Sequence, residues 1–306
     1  MLDPLAYLNG QLLPAQQAVI PVFDSGFVLG ATVTEQLRTF RGELFRLPEH
    51  LARLRASLES ATLHPRESLA DLADIAIRIV ANNYTLIDPG DDLGLCIFIT
   101  PGSYAPMAEG TDTGAPTVGL HTYRLPFHLW AEKYDQGVAL RTTPIQQVPA
   151  ACWPPALKCR SRMHYFLADQ EAANSEPGSR ALLLDHRGLV SEASTANAIA
   201  FFSNEGLISP PILQVLPGIS MQVVTELAGR LNIRFINRDL TPEEFAGADE
   251  AFLTSTPNCL LPVTRFNGRP IGNGQPGKIF GQLLAAWNEM VGFDIAVQAR
   301  RFAGRR

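Results

Sequence analysis

An α+β fold divided into two domains is what this sequence predicts, on three observations. Segments of helical and of strand periodicity occur in both halves, without strict βαβ alternation. A length of 306 residues suits two domains of ordinary size. Hydrophobic residues make up 46% of the chain and charged residues 18%, which is enough apolar matter for a packed core.

The elements follow in order. The chain opens with the strand-like AYLNGQLLP, a loop through FDSGFVLG, and TEQLRTFRGELFRL, where Arg41-Gly42 marks a turn. A helix starts at Pro48, a residue suited to a first helical position, with Leu51, Leu54 and Leu58 at helical spacing and Pro65 ending the pattern. A second helix runs from about Ser68 to Asn83, with Leu69, Leu72, Ile75 or Ala76, and Ile79 on one face. The strands GLCIFIT and APTVGLHTYRL close an N-terminal α/β domain, residues 1–122. Residues 123–134, leading into PFHLWAEKYDQG, are expected to form an aromatic, packed interdomain linker.

The second domain, residues 135–306, resumes with the strand GVALRTTPI, the loop CWPPALKCR and a helix through Met163, Phe166 and Leu167. Two hairpins follow, SRALLLDHRGLVSEAS turning near Arg187-Gly188 and NAIAFFSNEGLISPP turning near Glu205-Gly206. The loop LPGIS leads into the helix SMQVVTELAGRL. The end carries DEAFLTSTPNCLLPV, a hairpin at Asn267-Gly268 and a last helix from Gly277 to about Met290. The basic run Arg300 to Arg306 reads as a frayed, solvated terminus. A cleft between two such domains is the natural place for a cofactor.

Composition removes several functions. A net charge of −5 and a pI near 5.7 leave no broad basic field for nucleic acid or a membrane surface. No stretch reaches the ~20 apolar residues of a membrane helix, and the first residues lack a leader's basic-then-apolar pattern. Cys96, Cys152, Cys159 and Cys259 form no CxxC unit and lie at no metal-ligand spacing from histidines. Neither a metal nor a disulfide framework is expected, and a reducing cytoplasm is. No serine sits in a nucleophile elbow, and no glycine run has the dinucleotide spacing.

Of the 25 basic residues only Lys133, Lys158 and Lys278 are lysines. Lys133 and Lys278 lie in polar or turn-like contexts, whereas Lys158 follows the apolar, proline-stiffened CWPPAL. Desolvation there would lower the amine's pKa and free it to attack a carbonyl, such as the aldehyde of pyridoxal phosphate. A lysine alone is by default a surface charge, so the reading needs partners. Glu192, in GLVSEASTAN, is a carboxylate that can face a pyridine nitrogen and keep it protonated, beside the small Ser194 and Thr195. Gly218, Ile219 and Ser220 open a helix, where free amides attract an anion such as a phosphate. Arg53 can add a guanidinium clamp and Thr256 a hydroxyl. Each has a bland alternative: an edge-strand glutamate, an ordinary loop–helix junction, a surface arginine sharing a helix face with His50, a strand threonine.

The order and wording of five separated segments resemble the class IV aminotransferases, the fold-type-IV pyridoxal phosphate enzymes. These segments are FDSGFVLGATVTEQLRTF, LFRLPEHLARLRASL with its His-x-x-Arg-Leu at His50, Arg53 and Leu54, ALKCRSRMHYFLADQEA, ALLLDHRGLVSEASTANAIAFF with LPGIS, and DEAFLTSTPNCLLPV. The resemblance covers nearly the whole chain. It implies a two-domain D-amino acid aminotransferase-like fold with pyridoxal 5′-phosphate bound by the C-terminal domain. Lys158 would hold the cofactor aldehyde as a Schiff base, and Glu192 would face its ring nitrogen. Arg53, Gly218, Ile219, Ser220 and Thr256 would surround its phosphate, with Ser194 and Thr195 lining the ring. It also implies amino and oxo acid substrates, branched-chain ones among them, and a homodimer.

Three positions depart from the pattern. Thr34 and Gln36 stand where a branched-chain enzyme has an aromatic residue and a glycine. Met163 stands where a tyrosine usually meets the cofactor phenol, with Tyr165 two residues on. Pro101 stands where the D-amino acid enzymes carry a carboxylate-trapping arginine, which leaves Arg38, Tyr104 and Arg160 as candidates for the substrate carboxylate. The expected function is transamination. The alternative on the same cofactor is an aminodeoxychorismate lyase releasing pyruvate. A non-catalytic binder is disfavoured, since it has no reason to keep the lysine, the carboxylate and the phosphate turn.

Overall fold

The computed structural model describes residues 3–108 and 114–305; Arg306, the last of the basic run, lies outside them. The chain forms two compact units, Met1–Leu125 with Leu157–Ser161, and Pro126–Ala156 with Arg162–Arg306. All of the linker-like PFHLWAEKYDQG thus packs as part of the second unit, and the Lys158 segment as part of the first.

The first unit contains β1 (Leu5–Leu8), β2 (Gln11–Pro14), α1 (Ser25–Val28), β3 (Val33–Phe40), β4 (Glu43–Leu44), α2 (Leu47–Ser60), α3 (Leu69–Tyr84), β5 (Leu93–Thr100) and β6 (Thr117–Arg124). Its strands make one antiparallel sheet in the order β2-β1-β6-β5-β3-β4. Side chains alternate across a strand, so each strand of the sheet divides its residues between two faces. One face buries Val33, Leu37, Leu95, Ile97, Ile99, Val118 and Leu120 against Leu51, Leu54 and Leu58 of α2 and Leu72, Ala76 and Ile79 of α3. Those helix residues are the ones the periodicity picked out. A capping box between Ser68 and Asp71 starts α3. Asp24 caps α1 through the Gly26 amide and accepts the Thr100 and Thr117 hydroxyls, which ties the FDSG turn to β5 and β6. By register, the other face carries Thr34, Gln36 and Arg38 beside Gly94, Cys96 and Phe98, and these beside Gly119, His121 and Tyr123.

The second unit contains α4 (Lys133–Gln136), β7 (Val138–Arg141), α5 (Met163–Ser175), β8 (Arg180–Leu184), β9 (Val190–Ala193), β10 (Ala196–Phe202), β11 (Gly206–Ser209), α6 (Ile219–Arg230), β12 (Phe235–Asn237), α7 (Pro242–Ala246), β13 (Glu250–Ser255), β14 (Cys259–Phe266), β15 (Arg269–Pro270), α8 (Lys278–Val291) and α9 (Ile295–Phe302). The order along its sheet is β12-β11-β10-β13-β14-β7-β8-β9, and a further β9–β10 pairing closes the path from β10 round to β9 into a ring. β14, β7 and β8 pair in parallel, whereas β10, β13 and β14 pair antiparallel. Helices α6 and α8 pack on β13.

Three features differ from the sequence reading. Ser194 and Thr195 make a two-residue turn, so β9 and β10 form a hairpin of their own. Thr195 adopts φ +64, a conformation that a β-branched residue rarely takes and no glycine announces. Met163, Phe166 and Leu167 of α5 are exposed, and the small Ala168 and Ala172 face β8 instead, allowing close approach. The basic tail is not frayed through its length: Asp294 caps α9, Phe302 is buried, and Arg300 pairs with Asp135 at 2.7 Å. Among the described residues no helix is long and apolar enough to cross a membrane.

Candidate active site

The predicted site residues fall into two groups, one in each unit. Lys158, Arg160, Arg53, Arg38 and Tyr104 belong to the first; Glu192, Ser194, Thr195, Gly218, Ile219, Ser220 and Thr256 belong to the second.

In the first unit, residues 158–160 extend along β3. The Thr34 amide donates to the Lys158 carbonyl, the Arg160 amide donates to Thr32, and Cys159 bridges Val33. The Lys158 amide is in turn held by the Ser57 hydroxyl of α2 at 3.2 Å, and the residue is half-buried. One turn earlier on α2, Arg53 meets Glu35 of β3 through Nε at 2.7 Å and Nη2 at 2.8 Å. His50 Nδ1 lies 2.7 Å from the second Glu35 oxygen. All three side chains are buried. Burial opposes the charge on Glu35, but Arg53 and His50 outweigh it and lower the carboxyl to about 2. Burial pushes His50 down in spite of Glu35, so the imidazole is neutral and donates. The surface pair expected from the His50–Arg53 spacing is therefore a buried cluster around an unforeseen glutamate. Arg38 is 1% exposed, with its guanidinium 4.1 Å from the Phe40 ring centroid. Tyr104 follows β5, half-buried, its amide donating to Phe23.

In the second unit, Glu192, next to last in β9, is a buried carboxylate with donors on both oxygens. Tyr165 Oη donates to Oε1 at 2.6 Å and Gln147 Nε2 donates to the same oxygen at 2.5 Å; the Leu216 amide donates to Oε2 at 3.3 Å. The Gln147 amide is oriented by the Val148 N–H on its Oε1, which leaves Nε2 for the carboxylate. Burial, then the Glu192 charge, raises Tyr165 well above the usual phenol range, so it stays a donor. Leu216 also links the carboxylate to the turn before α6. Asn197, opposite Glu192 in the β9–β10 register, donates to the Leu216 carbonyl, and a Cβ on Gly218 would lie 2.0 Å from Asn197 Oδ1. A side chain at 218 would have to displace the Asn197 amide from the Leu216 carbonyl, while the φ of −68 imposes no constraint.

Beyond Gly218, α6 starts with no side-chain cap, so the first-turn amides of Ile219 and Ser220 have no partner within the helix. Thr254, opposite Asn197 on β13, has a buried hydroxyl without a hydrogen bond, and Thr256 lies half-buried two residues on. Arg180 donates to the Ser194 carbonyl and to the hydroxyls of Ser194 and Thr195 at 3.3 and 3.2 Å, bracing the turn. A fixed carboxylate beside an uncapped helix N-terminus and spare hydroxyls suits a ligand with a protonated ring nitrogen and a phosphate. This donor set fits pyridoxal phosphate.

Residue reasoning missed Glu35, Gln147, Asn197 and Arg180; Glu35 and Asn197 lie inside the segments that carry the resemblance, but nothing local marks their partners. Tyr165 was read against the cofactor phenol, whereas its hydroxyl supports Glu192. We expect Tyr165→Phe to weaken retention of the cofactor about 10-fold, since a buried carboxylate loses one of its donors. Titration of the cofactor-free protein with pyridoxal phosphate measures this, and an unchanged affinity would remove Tyr165 from the site.

Comparison with known proteins agrees with this chemistry. The family model described as amino-transferase class IV matches residues 32–266. A protein of Methanocaldococcus jannaschii, provisionally named a branched-chain-amino-acid aminotransferase, is 30% identical over 285 residues, covering 93% of this chain and 95% of its own. The D-alanine aminotransferase of Bacillus licheniformis is 27% identical over 272 residues, covering 89% and 91%. Among solved structures, the branched-chain amino acid aminotransferase of Escherichia coli superposes with a TM-score of 0.85 at 21% identity over 95% of each chain, a likeness of fold. The chain therefore belongs to the class IV aminotransferase family, and its cofactor is pyridoxal 5′-phosphate.

Proposed function

We propose that the chain moves an amino group between an amino acid and a 2-oxo acid, with Lys158 as the anchoring and proton-carrying amine. The observation that carries this reading is Glu192, a buried carboxylate held by three donors and joined through Leu216 to the uncapped start of α6. Glu192 supports the charge of a ring nitrogen, and the Ile219 and Ser220 amides, with Arg53 and the Thr256 hydroxyl, take the phosphate. Ser194 and Thr195 back the ring. When bound, the cofactor supplies an electron sink for the bond broken at the substrate carbon. Lys158 Nζ, once neutral and released, takes the proton from that carbon and returns it one position away. Glu35 orients Arg53 throughout, so the guanidinium need not be ordered when the phosphate arrives.

The branched-chain and D-alanine names of the relatives support an α-amino acid donor, with branched-chain ones first to be tried. The test begins with an absorbance spectrum of the purified protein, then mixing with L- and D-amino acids and trapping with borohydride. We expect a coloured protein whose band shifts with its donor, and a label on the Lys158 peptide. Turnover must require a 2-oxo acid; steady pyruvate release without one would overturn transamination in favour of elimination. We also propose a homodimer, supported by exposed Val19, Val22, Phe27 and Leu29 in one segment, which sedimentation velocity can test. Four cysteines, none of them in a CxxC unit, support a reducing cytoplasm as its setting.

A further inference from the structure

The sheet face of the first unit that α2 and α3 leave uncovered has a built centre. Gly94 and Gly119 let two aromatic rings lie flat on the sheet: a Cβ on Gly94 would stand 2.2 Å from the Tyr123 ring, and one on Gly119 would stand 2.2 Å from the Phe98 ring. Between those rings, Cys96 and His121 are direct cross-strand partners, and the cysteine is hydrogen-bonded by the imidazole. Arg160 reaches across Thr34 to the same sulfur, with Nη2 2.8 Å from Cys96 Sγ and Thr34 Oγ1 3.8 Å from it. Burial pushes the Cys96 thiol up, but His121 and Arg160 outweigh it and hold it below the usual thiol range. The Cys96 hydrogen bond raises His121. The Cys96 sulfur thus holds one corner of the Arg160 guanidinium in place.

Arg160 lies two residues from Lys158 on the same extended segment. Cys159 bridges Val33 as in an antiparallel strand, so Lys158 and Arg160, which flank it, project to the same side about 7 Å apart along the chain. Arg160 is exposed, and among the described residues it pairs with no carboxylate. Arg38, the other arginine of this face, is 1% exposed and covered by Phe40, so it is the poorer receptor. An exposed guanidinium held by one corner keeps its remaining N–H groups for a planar, bidentate anion.

We propose that Arg160, fixed by Cys96, is the carboxylate receptor for the amino or oxo acid, with Phe98 and Tyr123 flanking the carbon chain that bears it. The proposal rests on Lys158 being the reacting amine of the transaminase. The carboxylate can be the α-carboxylate common to every substrate or the second one of a dicarboxylic acid, and two unreactive probes of equal chain length separate these. Glutarate carries two carboxylates and pentanoate one. Their affinities are measured by isothermal titration calorimetry on wild type, Arg160→Leu and Arg160→Lys.

Arg160→Leu is expected to weaken binding about 10- to 100-fold. Equal loss for both acids assigns the α-carboxylate to Arg160, and loss confined to glutarate assigns the second carboxylate. Unchanged affinity for both overturns the proposal. Arg160→Lys keeps the charge but not the planar fork; it is expected to fall between the two, and it serves the test should leucine disturb folding. The calorimetry needs no turnover, so a protein without bound cofactor or a Lys158 label would sink the transaminase reading while leaving the role of Arg160 to be decided on its own.

Discussion

Lys158→Ala is expected to lower transamination at least about 1000-fold, because the proposed mechanism assigns Lys158 both the covalent anchor and the proton transfer. The fold should survive. Lys158 is half-buried, and the contacts that hold its segment, to Ser57 Oγ and the Thr34 amide, use backbone atoms that alanine keeps. Stopped-flow mixing of cofactor-loaded protein with its donor isolates the half-reaction, and added primary amines should restore part of the rate by replacing the missing base. A variant that retained the wild-type rate would move the chemistry to another residue and leave Lys158 without a catalytic role.

Glu35→Ala is expected to cost about 3–5 kcal/mol of stability, the penalty of leaving a buried charge without its partner. Arg53 is 8% exposed and His50 1%, so water cannot replace the carboxylate without opening the packing between α2 and β3. Urea denaturation at neutral pH measures the loss, and a change below ~1 kcal/mol would show that Arg53 finds compensation. The pH dependence has a definite sign. The folded Glu35 carboxyl is lowered from 4.5 to about 2, so its contribution is fully present above 4.5 and is lost as pH falls from there toward 2. Over that window the stability gap between wild type and Glu35→Gln should narrow. A constant gap would mean that Glu35 contributes through shape and not through charge.

Much of the fold was legible because it is written in local spacing. The leucines of α2 and the alternating faces of α3 have a period that only a helix satisfies, and Arg41-Gly42, Arg187-Gly188, Glu205-Gly206 and Asn267-Gly268 carry turn chemistry in their own backbones. The Ser194-Thr195 turn has no such mark, since nothing in a serine–threonine pair announces φ +64. A signal for α9 did exist in Asp294, which caps it, but the arginines beyond drew attention to charge instead of to Phe302.

The candidate site divides along the same line. Lys158, Glu192 and the LPGIS turn stand out in the sequence because each is a short motif whose chemistry is complete within a few residues. Glu35 beneath Arg53, Tyr165 and Gln147 on Glu192, and His121 and Arg160 on Cys96 are invisible there. Glu35–Arg53, Tyr165–Glu192, Gln147–Glu192 and Arg160–Cys96 are 18 to 64 residues apart in the chain, and no local propensity encodes such a pairing. The residues of this chain thus specify its periodic elements, its glycine turns and the lysine proposed as its reacting amine. Which groups come into hydrogen-bond contact, which arginine is buried and which is exposed follow from tertiary packing and strand register, because a sheet places cross-strand partners about 5 Å apart whatever their separation in sequence.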